Sequence, residues 1–378
     1  MLELPPLSLY VHIPWCVKKC PYCDFNSHAA GGDLPEDAYV TVLIDDLKQD
    51  AELAQGRRLT SIFFGGGTPS LFSASAIEKI IAAAQGIIGC ADNTEITLEA
   101  NPGTFEQQKF IDYKHCGVNR LSIGVQSFND QQLQALGRIH SGDNAIRAVA
   151  TAKTAGFDNI NLDLMHGLPA QTPAQALADV QQAIALAPSH LSWYQLTIEP
   201  NTAFYSAPPS LPEEDLLQEI QAGGLALLTA AGFAQYEVSA FAKPGRQARH
   251  NINYWQFGDY LGIGAGAHSK VTMLTTQQIQ RCRKTRHPRD YLGRTGDYLA
   301  GTRTLDKAEL PVEFLMNALR LNAGVPRGFY TPRTGLDFED IGSAWQALEQ
   351  EGLVSRSTQN LAVTPLGQRF LDTVLARL

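Results

Sequence analysis

Six apolar, β-branched runs recur along the first half of the chain, each ending in Gly, Pro or polar residues. They are LSLYVHI from Leu7, LTSIFFGGG from Leu59, EITLEANP from Glu95, RLSIGVQS from Arg120, NINLDLMHGLP from Asn159 and HLSWYQLTIEP from His190. Between them, stretches such as DAYVTVLIDDLKQDAELA and TPAQALADVQQAIALAP carry helical periodicity and stop at Gly or Pro. Strands that alternate with helices must be joined by crossovers, so they pair in parallel. The pattern predicts an α/β fold, an incomplete parallel (β/α)6-type barrel. No G-x-G-x-x-G opens a helix after the first run, which argues against a dinucleotide fold.

The rhythm loosens near residue 240. From there to about residue 300 the chain is rich in Gly, aromatic residues and His, and reads as loop with short strands. Beyond it, VEFLMNALRL, IGSAWQALEQEGLV and TPLGQRFLDTVLARL look helical around a short NLAVT strand. The expected division is a barrel over 1–240, an extension over 241–300, and a small helical, winged-helix-like domain over 301–378. A formal net charge of −8 and the lack of a basic run exclude a phosphate-backbone binder, so no nucleic-acid partner is expected. There is no long apolar span and no signal-peptide pattern, which predicts a cytoplasmic protein that is not transmembrane.

In a barrel of this kind, chemistry gathers where the strands end. The polar residues concentrate at those ends, in the cysteine segment, GGGTPS, EANPG, GVQS, DLMHGLP and TIEPNT. The segment HIPWCVKKCPYCDF brings Cys16, Cys20 and Cys23 together, while Cys90, Cys116 and Cys282 are scattered and read as small core residues. As a zinc site the triplet lacks a fourth ligand, unless His12 or His28 supplies it. As an iron–sulfur site it is complete in another sense, because three thiolates can hold a [4Fe–4S] cluster and leave one iron open.

CVKKCPYC after YVHIP at the first strand resembles the radical S-adenosylmethionine (SAM) superfamily, whose members chelate SAM on that open iron. The accompanying strings narrow the resemblance to the branch of oxygen-independent coproporphyrinogen III oxidases and HemW-type haem chaperones, from about Leu7 to Lys270. It implies a SAM site made by Tyr10, Gly66, Gly67, Thr68, Glu99, Gln126, Arg138 and Asp163. The residue chemistry suits that role. Glycine admits close backbone approach, Arg138 can grip a carboxylate, and Asp163 in an apolar strand needs a partner such as a ribose hydroxyl. His12 reads equally well as a loop support or a satisfied core histidine.

The oxidases of this branch carry a further cysteine where this chain has Phe25, and an extension ahead of the first strand. Both differences argue against oxidase activity, which stays as the alternative function. HNINYW, from His250 to Trp255, matches the HNxxYW string of the chaperones. It implies haem as cargo, held by His250, Asn251, Tyr254 and Trp255, with His250 the leading contact and His268 a second candidate. The imidazole suits haem iron, and the aromatic rings suit a porphyrin face. The resemblance further implies acceptor haemoproteins of the respiratory apparatus. SAM cleavage, transient membrane association and a homodimer stay open.

Overall fold

The computed structural model describes residues 1–103 and 107–378. β1 (Leu7–Ile13), β2 (Leu59–Gly66), β3 (Cys90–Ala100), β4 (Arg120–Gln126), β5 (Ile160–His166) and β6 (His190–Gln195) lie side by side in chain order, all parallel. The expected α/β barrel units are therefore present. Their strands are apolar on both faces because helices cover one side and the barrel interior the other; Leu9, Phe64, Leu98, Ile123 and Leu162 are all fully buried.

The crossovers are α1 (Glu36–Asp50), α2 (Ala74–Ile87), α3 (Gln107–His115), α4 (Gly142–Thr154) and α5 (Pro173–Ala185), and α6 (Glu214–Ala230) follows β6. Local chemistry sets their starts. Ser73 caps α2, while Ser141 with Asn144 and Thr172 with Gln175 form capping boxes on α4 and α5. Each such cap contributes about 1 kcal/mol and fixes where the preceding loop must turn.

The region read as loop holds more order than its glycines suggested. β7 (Ala234–Glu237) and β8 (Ala240–Ala242) extend the sheet antiparallel beyond β6. Next comes α7 (Arg249–Trp255), so HNINYW is helical rather than loop. β9 (Asp259–Ile263) then pairs parallel with β1 on the side opposite β2. β10 (His268–Met273), β11 (Gln278–Lys284) and β12 (Leu299–Thr304) continue antiparallel from it. One sheet of twelve strands results. Short, glycine-interrupted strands carry too little periodicity to read alone; here, pairing with an existing edge decides them.

A second apolar cluster, with Phe314, Tyr330, Trp345 and Leu348, lies under α8 (Leu310–Ala318) and α9 (Glu339–Gln350). It also takes in Phe257 and Ile279. NLAVT contributes only the two-residue strand Asn360–Leu361, paired with Val325–Pro326.

Candidate functional site at the strand ends

β1 runs straight into the cysteine segment, whose base is closed by pairing of Trp15–Cys16 with His28–Ala29. Asn26 ties the loop down. Its side-chain amide donates to the carbonyls of Ala265 (2.9 Å) and Arg286 (2.8 Å), and its own carbonyl lies 2.9 Å from His12 Nε2. Cys16, Cys20 and Cys23 are free thiols that line one cavity of about 370 Å3. Among the described residues no three His, Cys, Asp or Glu side chains close on a single ion. A cluster has a different requirement, since each thiolate binds its own iron. Three partly exposed thiols around one hollow fit that donor set.

The opposite wall comes from β2 to β5. Gly66, Gly67, Thr68, Glu99, Gln126, Arg138 and Asp163 all line the cavity. Tyr10 stands one layer behind, with its hydroxyl 3.0 Å from His12 Nδ1. The glycines serve packing as well as access. A Cβ on Gly66 would sit 2.5 Å from the His12 ring, and one on Gly67 would sit 2.5 Å from the Trp15 carbonyl. Gly66, with φ of 115°, also occupies a region closed to other residues. Gln126 has φ of 67°, a strain on the order of 1–3 kcal/mol that tends to collect at ligand sites.

The charges on this wall are unbalanced. Burial, with Asp163 beside it, pushes the Glu99 carboxyl up to about 8, although the Gly66 N–H donates to it at 3.3 Å. Burial likewise raises Asp163, held by Ser122 (2.8 Å) and Asn161 (2.9 Å). Neither carboxylate has an ion-pair partner among the described residues. Two such groups at one wall suit a cationic ligand.

Several wall residues escaped the sequence reading. Asn101 joins the two sides, donating to Thr68 Oγ1 (2.8 Å) and accepting from Arg138 Nη2 (2.6 Å), while Arg138 Nη1 stands 3.7 Å from Cys20 Sγ. Asn101 lies two residues beyond Glu99, so strand alternation placed it on the same face. Tyr22, between two of the cysteines, Tyr194 and Gln195 at the end of β6, and Glu199 beyond it complete the mouth. Phe25 lies on the rim and is 63% exposed.

The HNINYW residues are elsewhere. Helical spacing turns His250, Asn253 and Tyr254 to one side of α7. Asn253 Nδ2 donates to Ser8 Oγ and to the Asp259 carbonyl, 2.9 and 2.8 Å away. His250 is only 1% exposed, and both its ring nitrogens have protein partners. The His250 imidazole is thus enclosed by protein in this structure. Tyr254 and Trp255 line a smaller cavity of about 200 Å3 with Tyr260, Lys270, Arg281 and Asn317. The Arg320 guanidinium already lies over the Trp255 ring at 4.4 Å. Asn251 is partly exposed, and His268 is exposed at the start of β10. His28 packs edge-on against the His287 ring at 5.3 Å.

A partial barrel with three cysteines after its first strand defines a class, and comparison agrees: residues 10–183 match the Radical SAM superfamily and residues 305–370 the HemN C-terminal domain. The chain is 51% identical to the heme chaperone HemW of Escherichia coli (strain K12), covering 99% of this chain and 98% of that protein. It is 50% identical to the heme chaperone HemW of Haemophilus influenzae, again over 99% and 98%. A mouse protein, radical S-adenosyl methionine domain-containing protein 1, mitochondrial, is 36% identical over 98% of this chain and 87% of its own length. The fold is shared with the solved structure of coproporphyrinogen III oxidase (HemN) from Escherichia coli, with a TM-score of 0.83, 23% identity and coverage of 99% and 90%. The chain belongs to the HemW family of radical SAM proteins.

Proposed function

We propose that this protein binds haem and hands it to acceptor haemoproteins, and that it keeps a [4Fe–4S] cluster on Cys16, Cys20 and Cys23 with exchangeable SAM. The observation that carries the proposal is the joining, in one chain, of the cysteine-lined cavity with the HNINYW helix. End-to-end likeness to proteins named heme chaperones supports it.

In this reading Glu99 and Asp163 receive the cationic and hydroxyl groups of SAM, Arg138 and Gln126 orient it, and Gly66, Gly67 and Thr68 present backbone to it. Tyr10 supports that wall from behind. When bound, the cluster supplies an open iron that chelates SAM and a source of single electrons. The haem surface is proposed at the smaller cavity beside α7, where Tyr254 and Trp255 offer rings and Arg281, now paired with Glu313, offers a guanidinium to a propionate, with Asn251 partly exposed on the same helix. Ligation by His250 would require α7 to move. The acceptors are proposed to belong to the respiratory apparatus and the protein to act in the cytoplasm. Among the described residues no helix is long and apolar enough to cross a membrane.

The test is anaerobic. Cluster-loaded protein is titrated with haemin and then mixed with an apo-haemoprotein. Saturation near a single haem per chain, followed by appearance of the acceptor's spectrum, is expected. No saturable binding, together with SAM-dependent decarboxylation of coproporphyrinogen, would overturn the proposal in favour of an oxidase.

A further inference from the structure

His250 is buried on the inner side of the sheet, stacked on Phe63 (ring centroids 4.9 Å apart) and close to Tyr254 (4.6 Å) and Tyr10 (6.4 Å). Both ring nitrogens are engaged, Nδ1 with the Ser61 hydroxyl at 3.0 Å and Nε2 with the Tyr254 hydroxyl at 2.8 Å. In either neutral tautomer one nitrogen donates and the other accepts, so the one lone pair that could meet a metal is taken. Burial, with the Arg120 guanidinium nearby, pushes the imidazolium down to about 3, so the ring stays neutral.

The same rings back the cysteine cavity. A Cβ on Gly65 would meet Phe63 at 2.9 Å and Tyr10 at 3.0 Å. The Tyr10 hydroxyl is bonded to His12, whose ring fills the space beside Gly66. Gly66 and Gly67 form the wall itself. An unbroken set of contacts thus runs from α7 through His250, Phe63 and Tyr10 to His12 and the glycines.

We propose that His250 is a positioning residue for the cysteine-lined cavity: it sets Phe63 and Tyr10 behind the glycine wall and so couples α7 to the SAM-binding surface, and it does not ligate haem iron in this conformation. The proposal rests on the reading of that cavity as a SAM site. It makes the haem helix and the cofactor wall parts of one packed unit, so a ligand that displaces α7 loosens the wall.

The experiment compares wild type, His250→Gln, His250→Ala and Phe63→Leu after anaerobic cluster reconstitution. SAM affinity is read from the electron paramagnetic resonance spectrum of the reduced cluster. Thermal melts show which variants fold. Glutamine keeps one donor and one acceptor, so His250→Gln should hold SAM close to wild type. His250→Ala, and Phe63→Leu, which leaves the His250 bonds in place, should weaken SAM binding about fivefold. In the wild-type protein without cofactors, diethylpyrocarbonate should modify exposed His268 and His287 and spare His250. SAM affinity unchanged in both weakened variants would overturn the proposal, as would SAM binding in His250→Gln as weak as in His250→Ala. A wild type that binds no SAM would remove the cavity reading and the coupling with it, whereas a reactive His250 would refute the buried placement alone.

Discussion

The cysteine cavity and the floor beneath α7 both bury charge, and they treat it in opposite ways. At the floor, Asp259 is fully buried, but Lys270 (2.8 Å), Arg57 (2.7 Å) and Thr272 all bond to it, and the two cations hold its carboxyl below the usual range despite burial. Asp46, on α1, is also paired with Lys284 (2.6 Å), although burial still raises its carboxyl. At the cavity, Glu99 and Asp163 have no cation bonded to them and both are pushed up. A satisfied network is structure, complete without help; an unbalanced one marks where a ligand is to bind. Asp179 is also raised without a cation, but Ser127 and the Phe128 N–H satisfy it away from the cavity; it is the open hollow beside Glu99 and Asp163 that separates site from scaffold.

The largest effect expected is at the cavity. Replacing Cys16, Cys20 or Cys23 by Ala should drop reconstituted iron from about four per chain to near zero, measured by iron assay and by loss of the visible charge-transfer band. Next come the two carboxylates. Asp259→Ala strands the Lys270 ammonium in the core and should cost about 3–5 kcal/mol in urea unfolding. Glu99→Gln should change stability by no more than about 1 kcal/mol, yet weaken SAM about tenfold by removing a charged acceptor. Equal stability losses in these two variants would erase the distinction between scaffold and site.

A smaller effect sharpens it. Glu99 is raised from its ordinary 4.5 to about 8, so between those values the folded state holds a proton that the unfolded state releases. Its contribution to stability therefore falls as pH rises through that window, the reverse of an ion-paired acid such as Asp259. A cation binding below pH 8 must expel that proton. Calorimetry in buffers of different ionisation enthalpy should show proton release on SAM binding that Glu99→Gln abolishes. The mildest effect is at α7, where Tyr254→Ala should weaken haem binding about tenfold through lost ring contact.

Much of this was legible in the residues. Strand ends place side chains by alternation: the cysteines, GGGTP and EANPG each sit where a parallel strand stops, and Asp163 stands within β5 on the cavity side, so the sequence brought most of the wall together. What it missed was contact across elements. Asn101 looks like a turn residue until Arg138 and Thr68 arrive from other strands. HNINYW reads as loop in the sequence because its partners Ser8, Ser61 and Glu95 are distant in the chain. A short string cannot reveal whether its histidine faces solvent or the barrel. Burial by β1, β2 and β9 settles that here, and β1 and β2 lie far ahead of the motif in the chain. The glycines of β2 were read for ligand access, and the space they vacate also holds His12 and Trp15.

The most direct test is to reduce the reconstituted cluster anaerobically, add SAM, and record the electron paramagnetic resonance spectrum. A saturable change in g-values, needing about tenfold more SAM in Glu99→Gln, is the predicted result. A spectrum indifferent to SAM would mean that the cavity's unbalanced carboxylates await something else, contradicting its assignment as a cofactor site.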